Sequence, residues 1–222
     1  MLNGAWRPQF IFLDFDGVIM DSMSLKLESY AYALAPFGLK ADVIRPLQLL
    51  SAGISRRKTL PFMVRELLGQ EMSGPEIEAA LARFRESDEA NRSRMRFMPG
   101  AVEFFEAAGH ADIPLFILTG TPQDVIEVTV DIFHIRKYFE GILGSPPGKV
   151  LHLQEQARAQ GIELQAGLFV GDSPKDQEAA RIAGIPFVGL AASEEEANAF
   201  GRDHLQFQIQ SLEDLLPLLA DK

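Results

Sequence analysis

The sequence predicts an α/β protein in which a doubly wound, Rossmann-like parallel sheet carries an inserted all-helical domain. Three observations carry this reading. Short, continuous apolar runs recur along the chain and alternate with helical patterns, which is the signature of a parallel sheet covered on both faces. Residues 18–95 interrupt that alternation with helical patterns and almost no strand signal. Glycines and aspartates follow several of the runs, at the strand ends where open α/β sheets bind ligands.

In chain order, the first strand candidate is Gln9 to Asp14 (QFIFLD), which leads into Asp-Phe-Asp-Gly. Its run is unbroken rather than alternating, as expected for a strand buried on both sides. Helices are then expected over Ser22 to Pro36, Ala41 to Leu50, Ser55 to Leu68 and Gly74 to Arg94, with turns at Phe37-Gly38, Ala52-Gly53 and Gly69. Pro99-Gly100 punctuates the return to the alternating pattern. Further strands are expected at Ile113 to Leu118, Gly141 to Leu143, Leu164 to Val170, Pro186 to Leu190 and Gln206 to Ile209. Pro99, Pro122 and Pro174 stand where helices should begin, a position that tolerates proline because its missing N–H would be unpaired there. The expected organisation is an α/β core of residues 1–17 and 96–222 and a helical cap of residues 18–95. Glu194-Glu195-Glu196 reads as a solvated helix face.

Composition narrows the function classes. The chain has 222 residues, an apolar fraction of 47%, no cysteine and a net charge of −10. It has the apolar content of a globular protein, and it can have no disulfide, thiolate nucleophile or zinc ribbon. The acidic excess argues against nucleic acid or anionic lipid as a partner. Residues 18–95 carry 11 lysines and arginines against 10 acids, whereas the rest carries 10 against 21. The acidic excess thus belongs to the sheet domain, and a small anion bound at a local cationic point stays compatible with it. No run reaches the ~18 apolar residues of a membrane helix, and the N-terminus has no signal-peptide pattern. A cytoplasmic protein is expected, as a monomer or small homo-oligomer.

The chemistry-bearing residues fall at strand ends. Asp14 and Asp16 are two apart, so a strand's period of two sends both carboxylates to one side; an Asp-Gly surface turn would look the same. Thr119-Gly120 follows IPLFIL, and Gly171-Asp172-Ser173-Pro174-Lys175-Asp176 follows LQAGLFV. Each also reads as a plain helix cap. Lys149 lies in Ser145-Pro146-Pro147-Gly148-Lys149, a loop where a lysine ordinarily faces solvent. Taken together, Asp14, Asp16, Asp172, Asp176, Thr119 and Lys149 gather at the ends of four strands. Clustered carboxylates repel one another unless a cation sits among them, and an oxygen-only donor set selects a hard ion, Mg2+ by expectation.

DFDGVIMDS, LTGT, Lys149 and GDSPKD, in that order, resemble the four motifs of the haloacid dehalogenase-like hydrolase superfamily, over about residues 10 to 190. The helical insertion is similar to the cap of its phosphoglycolate phosphatase and β-phosphoglucomutase branch. The resemblance implies Asp14 as nucleophile and Asp16 as general acid and base. It implies Thr119, Gly120 and Lys149 as phosphate-binding residues, with the Phe15 and Gly120 amides, and a magnesium site of Asp14, Asp172 and the Asp16 backbone carbonyl. Asp176, with Ser173, is expected behind these, orienting Lys149 or a metal-bound water. The dehalogenases lack the second aspartate, and halide needs no acid to leave whereas an alkoxide does. Asp16 therefore favours phosphate chemistry.

The expected function is a magnesium-dependent phosphatase acting on a small phosphorylated metabolite through an aspartyl phosphate. A sugar phosphomutase using the same intermediate is the alternative, and a non-catalytic phosphometabolite-binding module is a third. Phosphonate cleavage would need a Schiff-base lysine, and Lys26, Lys40 and Lys58 have no such context. In Gly53-Ile54-Ser55-Arg56-Arg57-Lys58, Arg56 and Arg57 are candidates for substrate choice, set against a solvated turn. Asp21-Ser22 reads as a helix cap or a substrate contact. His110, His134, His152 and His204 form no catalytic or metal-binding pattern, and are expected to be structural or exposed.

Overall fold

A computed structural model of the chain describes residues 6–50 and 54–220; the expected turn at Ala52-Gly53 lies outside them. The elements in chain order are β1 (Ile11–Leu13), β2 (Met20–Asp21), α1 (Met23–Leu34), α2 (Ala41–Leu50), α3 (Arg56–Leu68), α4 (Gly74–Asn91), β3 (Arg96–Phe97), α5 (Ala101–His110) and β4 (Leu115–Pro122). Then follow α6 (Gln123–Ile132), β5 (Gly141–Ser145), α7 (Lys149–Gln160), β6 (Leu168–Gly171), α8 (Pro174–Ala183), β7 (Phe187–Leu190), α9 (Glu194–Ala199), β8 (Leu205–Ile209) and α10 (Leu216–Leu219). The chain divides into two compact units, one built from the segment up to Asp21 and from Phe97 onward, the other from Ser22–Arg96. Among the described residues no helix is long and apolar enough to cross a membrane.

The first unit holds a six-stranded parallel sheet of order β5-β4-β1-β6-β7-β8. The chain steps outward from β1 to β4 and β5, then returns to the other side of β1 to lay down β6, β7 and β8. The direction reverses between β1 and β6, which makes the C-terminal ends of these two strands the expected crevice of an α/β sheet. Register holds the sheet together through one row of rings: Phe12 is paired with Phe116 on one side and with Phe169 on the other, and Phe169 with Phe187. Phe12 stacks on Phe116 at 4.9 Å and Phe169 meets Phe187 edge-on at 5.7 Å. All four are buried, with Leu153, Ala180 and Ile185 packed on the same face. Burial of rings this large removes much apolar surface from water, and the edge-on geometry suits their quadrupoles.

The second unit packs α1 to α4 around Leu27, Tyr30, Leu34, Leu60, Met63, Val64 and Phe84. Tyr30 and Phe84 meet at 4.8 Å. α1 stops at Leu34 because Pro36 and left-handed Gly38 (φ 74°) follow, leaving a 3-10 turn at Ala35–Phe37. α4 opens on a Ser73/Glu76 capping box and gives way to a 3-10 turn at Arg92–Arg94.

Several boundaries differ from the sequence expectation, each for a local reason. Leu164 to Ala166 form a 3-10 turn, and the strand begins only at Leu168; Gly167 lies so close to the Phe10 ring that a Cβ would stand 2.0 Å from it. β4 runs on through Thr119-Gly120-Thr121 to Pro122, paired with β5 across a register shift. Pro122 caps α6 from outside the helix, and α5 begins after Gly100 (φ 75°), so neither Pro122 nor Pro99 occupies a first helical turn. Pro174 does. Glu194, Glu195 and Glu196 are exposed, and Glu196 closes a capping box with Ser193.

Candidate active site

Asp14 follows β1 directly. Its N–H donates to the Val170 carbonyl at 2.9 Å, which carries the β1–β6 pairing one residue past the strand. The Phe15 N–H donates to Asp14 Oδ1 at 2.7 Å, fixing one carboxylate oxygen. The chain then turns back on itself, with the Ile19 and Met20 N–H groups donating to Phe15 O at 3.0 and 2.9 Å. Gly17 makes the turn at φ 80°, a left-handed value that disfavours any side chain. A Cβ there would stand 2.1 Å from Asp172 Oδ2. The loops after β1 and β6 therefore interlock at the point where the sheet reverses direction.

Carboxylate oxygens of Asp14, Asp172 and Asp176 lie within 4.8 Å of one another. Asp176 enters this cluster because it follows Asp172 by four residues on the opening turn of α8, whose N-cap is Ser173. Ser173 Oγ donates to Asp176 Oδ2 at 2.5 Å and accepts from the Asp176 N–H at 3.3 Å. The Asp176 carboxylate, expected to orient Lys149 or a metal-bound water, lies beside those of Asp14 and Asp172 as well. The Asp16 carboxylate is not part of the cluster. It accepts instead from Thr121 Oγ1 at 3.1 Å.

Lys149 supplies the positive charge. Its Nζ lies 2.9 Å from Asp14 Oδ2 and donates to Asp176 Oδ1, with only 14% of the side chain exposed. Lys149 is the first residue of α7, after the Gly148 N-cap, and its buried ammonium rules out the alternative of a solvent-facing loop lysine. The backbone leading to it is held at both polar atoms of Gly144, whose N–H donates to Gln123 Oε1 at 2.5 Å and whose carbonyl meets His152 Nε2 at 2.7 Å. Gln123, a lone glutamine at a helix start, carries no sequence pattern, whereas His152 is expected to be structural or exposed and here contacts the backbone.

Thr119 is buried in β4 and its Oγ1 accepts the Thr121 N–H at 3.1 Å. Gly120 between them is exposed. The alternative of a plain helix cap at Thr119-Gly120 gives way to a bulged strand end, and Pro122 caps α6 instead. Thr121 is the residue the sequence reading missed here, and its signal was the spacing of two from Thr119, which puts both hydroxyls on one side of a strand.

Burial dominates the electrostatics. It pushes the Asp14 carboxyl up to about 7, helped by Asp176 and Asp16 and opposed by Lys149. Asp172 is pushed well above the carboxylate range, first by burial and then by Asp14 and Asp176. For Lys149 burial pulls the pKa down, but Asp14 and Asp176 outweigh it, and the ammonium is held above the ordinary lysine range. Buried carboxylates that cannot all ionise beside a single lysine fit a cation as the missing counter-charge, and their all-oxygen donor set suits a hard one.

Arg56 and Arg57 belong to the helical unit. The Arg56 guanidinium lies 4.5 Å above the Phe84 ring, and Arg57 pairs with Glu78 at 2.6 Å.

Comparison with known proteins follows the same lines. The chain is 27% identical over 222 residues to phosphoglycolate phosphatase 1 of Pseudomonas aeruginosa, covering 95% of this chain and 79% of that protein. It is 33% identical over 116 residues to the phosphoglycolate phosphatase of Escherichia coli, covering 49% of this chain and 45% of that protein. Its fold is similar to the crystal structure of a predicted phosphoglycolate phosphatase from Haemophilus somnus, with a TM-score of 0.79 at 19% identity, over 99% of this chain and 100% of that one. The family profile described as haloacid dehalogenase-like hydrolase matches residues 11–190, and the chain belongs to that family.

Proposed function

We propose that the chain is a cytoplasmic, magnesium-dependent phosphatase that hydrolyses a small phosphorylated metabolite through an aspartyl phosphate on Asp14. The observation that carries this reading is the placement of Asp14. One of its oxygens is fixed by the Phe15 amide and the other faces Lys149, while Asp172 and Asp176 complete an acidic cluster around it.

Each residue then has a task. Asp14 attacks phosphorus, forming an Asp14 O–P bond as the ester P–O bond breaks, so that one difficult displacement becomes two easier ones. Asp16 gives its proton to the departing ester oxygen, and an alcohol leaves. Asp16 next takes a proton from water, whose oxygen bonds to phosphorus as the Asp14 O–P bond breaks, which returns a free carboxylate and inorganic phosphate. Lys149, Thr119 and the Phe15 and Gly120 amides neutralise charge on the phosphoryl oxygens, where most of the catalysis of phosphoryl transfer lies. Asp176, anchored by Ser173, holds Lys149. Asp14, Asp172 and the Asp16 carbonyl would hold Mg2+, which when bound keeps Asp14 ionised and draws charge from the phosphoryl oxygens. Arg56 and Arg57 are assigned to substrate choice.

The test is phosphate release from p-nitrophenyl phosphate with Mg2+ and with chelator. Release that requires Mg2+ and is abolished in Asp14→Asn is expected; undiminished turnover in that variant sinks the mechanism. A panel of phosphorylated metabolites, with phosphoglycolate first because the relatives bear that name, is then scored for free phosphate. An isomerised sugar phosphate in place of free phosphate would establish the mutase alternative.

A further inference from the structure

We infer that Thr121 is the positioning residue of the proton-transfer step: its hydroxyl holds the Asp16 carboxyl in line with the ester oxygen. The inference rests on the phosphatase reading and extends it to a residue outside the assigned set.

Thr121 Oγ1 and Asp16 Oδ2 are 3.1 Å apart, in a contact between residues 105 positions apart in sequence. Thr121 is 8% exposed, so water competes little for its hydroxyl. Its backbone is fixed as well, because its N–H donates to Thr119 Oγ1 at 3.1 Å. The register shift of β4 between Leu118 and Pro122 spans these residues. A regular strand needs no such bulge, and bulges re-aim side chains. Thr121 thereby ties a proposed phosphate-binding residue, Thr119, to the proposed acid and base, Asp16.

The choice of a hydroxyl has chemical content. Asp16 must hold a proton in the first half of the reaction and lack one at the start of the second. An ammonium or guanidinium in its place would favour the carboxylate form. The Thr121 hydroxyl carries no charge and donates to Oδ2 whether or not Oδ1 holds the proton meant for the ester oxygen, so the contact survives both halves without rearrangement. Asp16 stands just before the turn made by left-handed Gly17, and an anchor on its side chain restricts the rotamers it can adopt.

Leaving-group dependence separates positioning from general damage. p-Nitrophenoxide departs without a proton, whereas the more basic phenoxide benefits from one, and kcat/KM reports the step in which it leaves. In Thr121→Val, kcat/KM for phenyl phosphate is expected to fall about 30-fold and that for p-nitrophenyl phosphate less than about threefold. Thr121→Ser should restore both, and Thr121→Ala should repeat the valine result if valine disturbs the strand. Asp16→Asn should show the same discrimination, and adding Thr121→Val to it should cost nothing further. Equal losses on the two esters, or additive losses in the double variant, overturn the inference while Asp14→Asn remains inactive. Turnover surviving in Asp14→Asn overturns the phosphatase reading and this inference with it.

Discussion

Lys149 Nζ stands 2.9 Å from Asp14 Oδ2, so the proposed nucleophile faces the lysine proposed to neutralise charge on the phosphoryl oxygens. In Lys149→Met, phosphate release should fall at least ~100-fold, since a buried charge aimed at the transferring group is lost. The metal-free fold should weaken by about 3 kcal/mol in urea titration, because Asp14 and Asp176 lose their counter-charge. A variant with full activity would remove Lys149 from the mechanism.

The Asp14 carboxyl is held at about 7, against 3.8 for an ordinary aspartate, with burial as the leading cause. Between these values the folded state binds more protons than the unfolded one, so the stability of the metal-free protein falls as pH rises through this window. Asp172 is shifted in the same direction. A divalent cation bound at the cluster should cancel the loss. The rise in Tm produced by Mg2+ over chelator should thus be larger at about pH 8 than at about pH 5. An equal rise at both would mean that the ion binds elsewhere.

Gly17→Ala tests the interlocked loops. A Cβ at φ 80° is strained by ~1 kcal/mol, and it would stand 2.1 Å from Asp172 Oδ2. The carboxylate has to move aside. Mg2+ titrations of activity should show a half-saturating concentration about tenfold higher, in the range seen when groups around metal ligands are removed.

Arg56 lies 4.5 Å over Phe84, which gives it a structural task whatever it does for substrate. Arg56→Ala should cost about 1 kcal/mol of stability for the lost cation–π contact. If it also selects substrate, KM across the metabolite panel should shift unevenly while kcat for p-nitrophenyl phosphate holds. Unchanged discrimination would leave only the packing role.

Much of the sheet was legible because its residues obey one local rule. Phe12, Phe116, Phe169 and Phe187 sit in unbroken apolar runs, and such runs are what strands buried on both faces look like. The helices of the second unit were legible by periodicity, with ends set by Pro36, Gly38 and Gly69. What escaped notice depends on partners distant in sequence. Thr-Gly-Thr-Pro reads locally as a helix cap, and its strand character comes from pairing with β5. Pro-Pro-Gly-Lys reads locally as an exposed loop, and the sequence marks Lys149 only by its place among the four motifs, not by the buried pairing with Asp14 and Asp176. The motif aspartates at the ends of β1 and β6 were visible at once. Thr121 and Gln123 were not, since their value lies in the Asp16 side chain and the Gly144 amide that they hold.

The point where the chain leaves the sheet is also where it comes back. Met20–Asp21 and Arg96–Phe97 form a two-stranded sheet of their own, and the Met98 N–H donates to the Ile19 carbonyl at 2.9 Å. The segment Ser22–Arg96 thus begins and ends within one strand spacing, so a short turn could bridge its ends at little entropic cost. Such a stem lets the segment be replaced by one of another length while β1 and α5 keep their places. Evolution could in this way exchange one part of the protein without disturbing the residues gathered around Asp14.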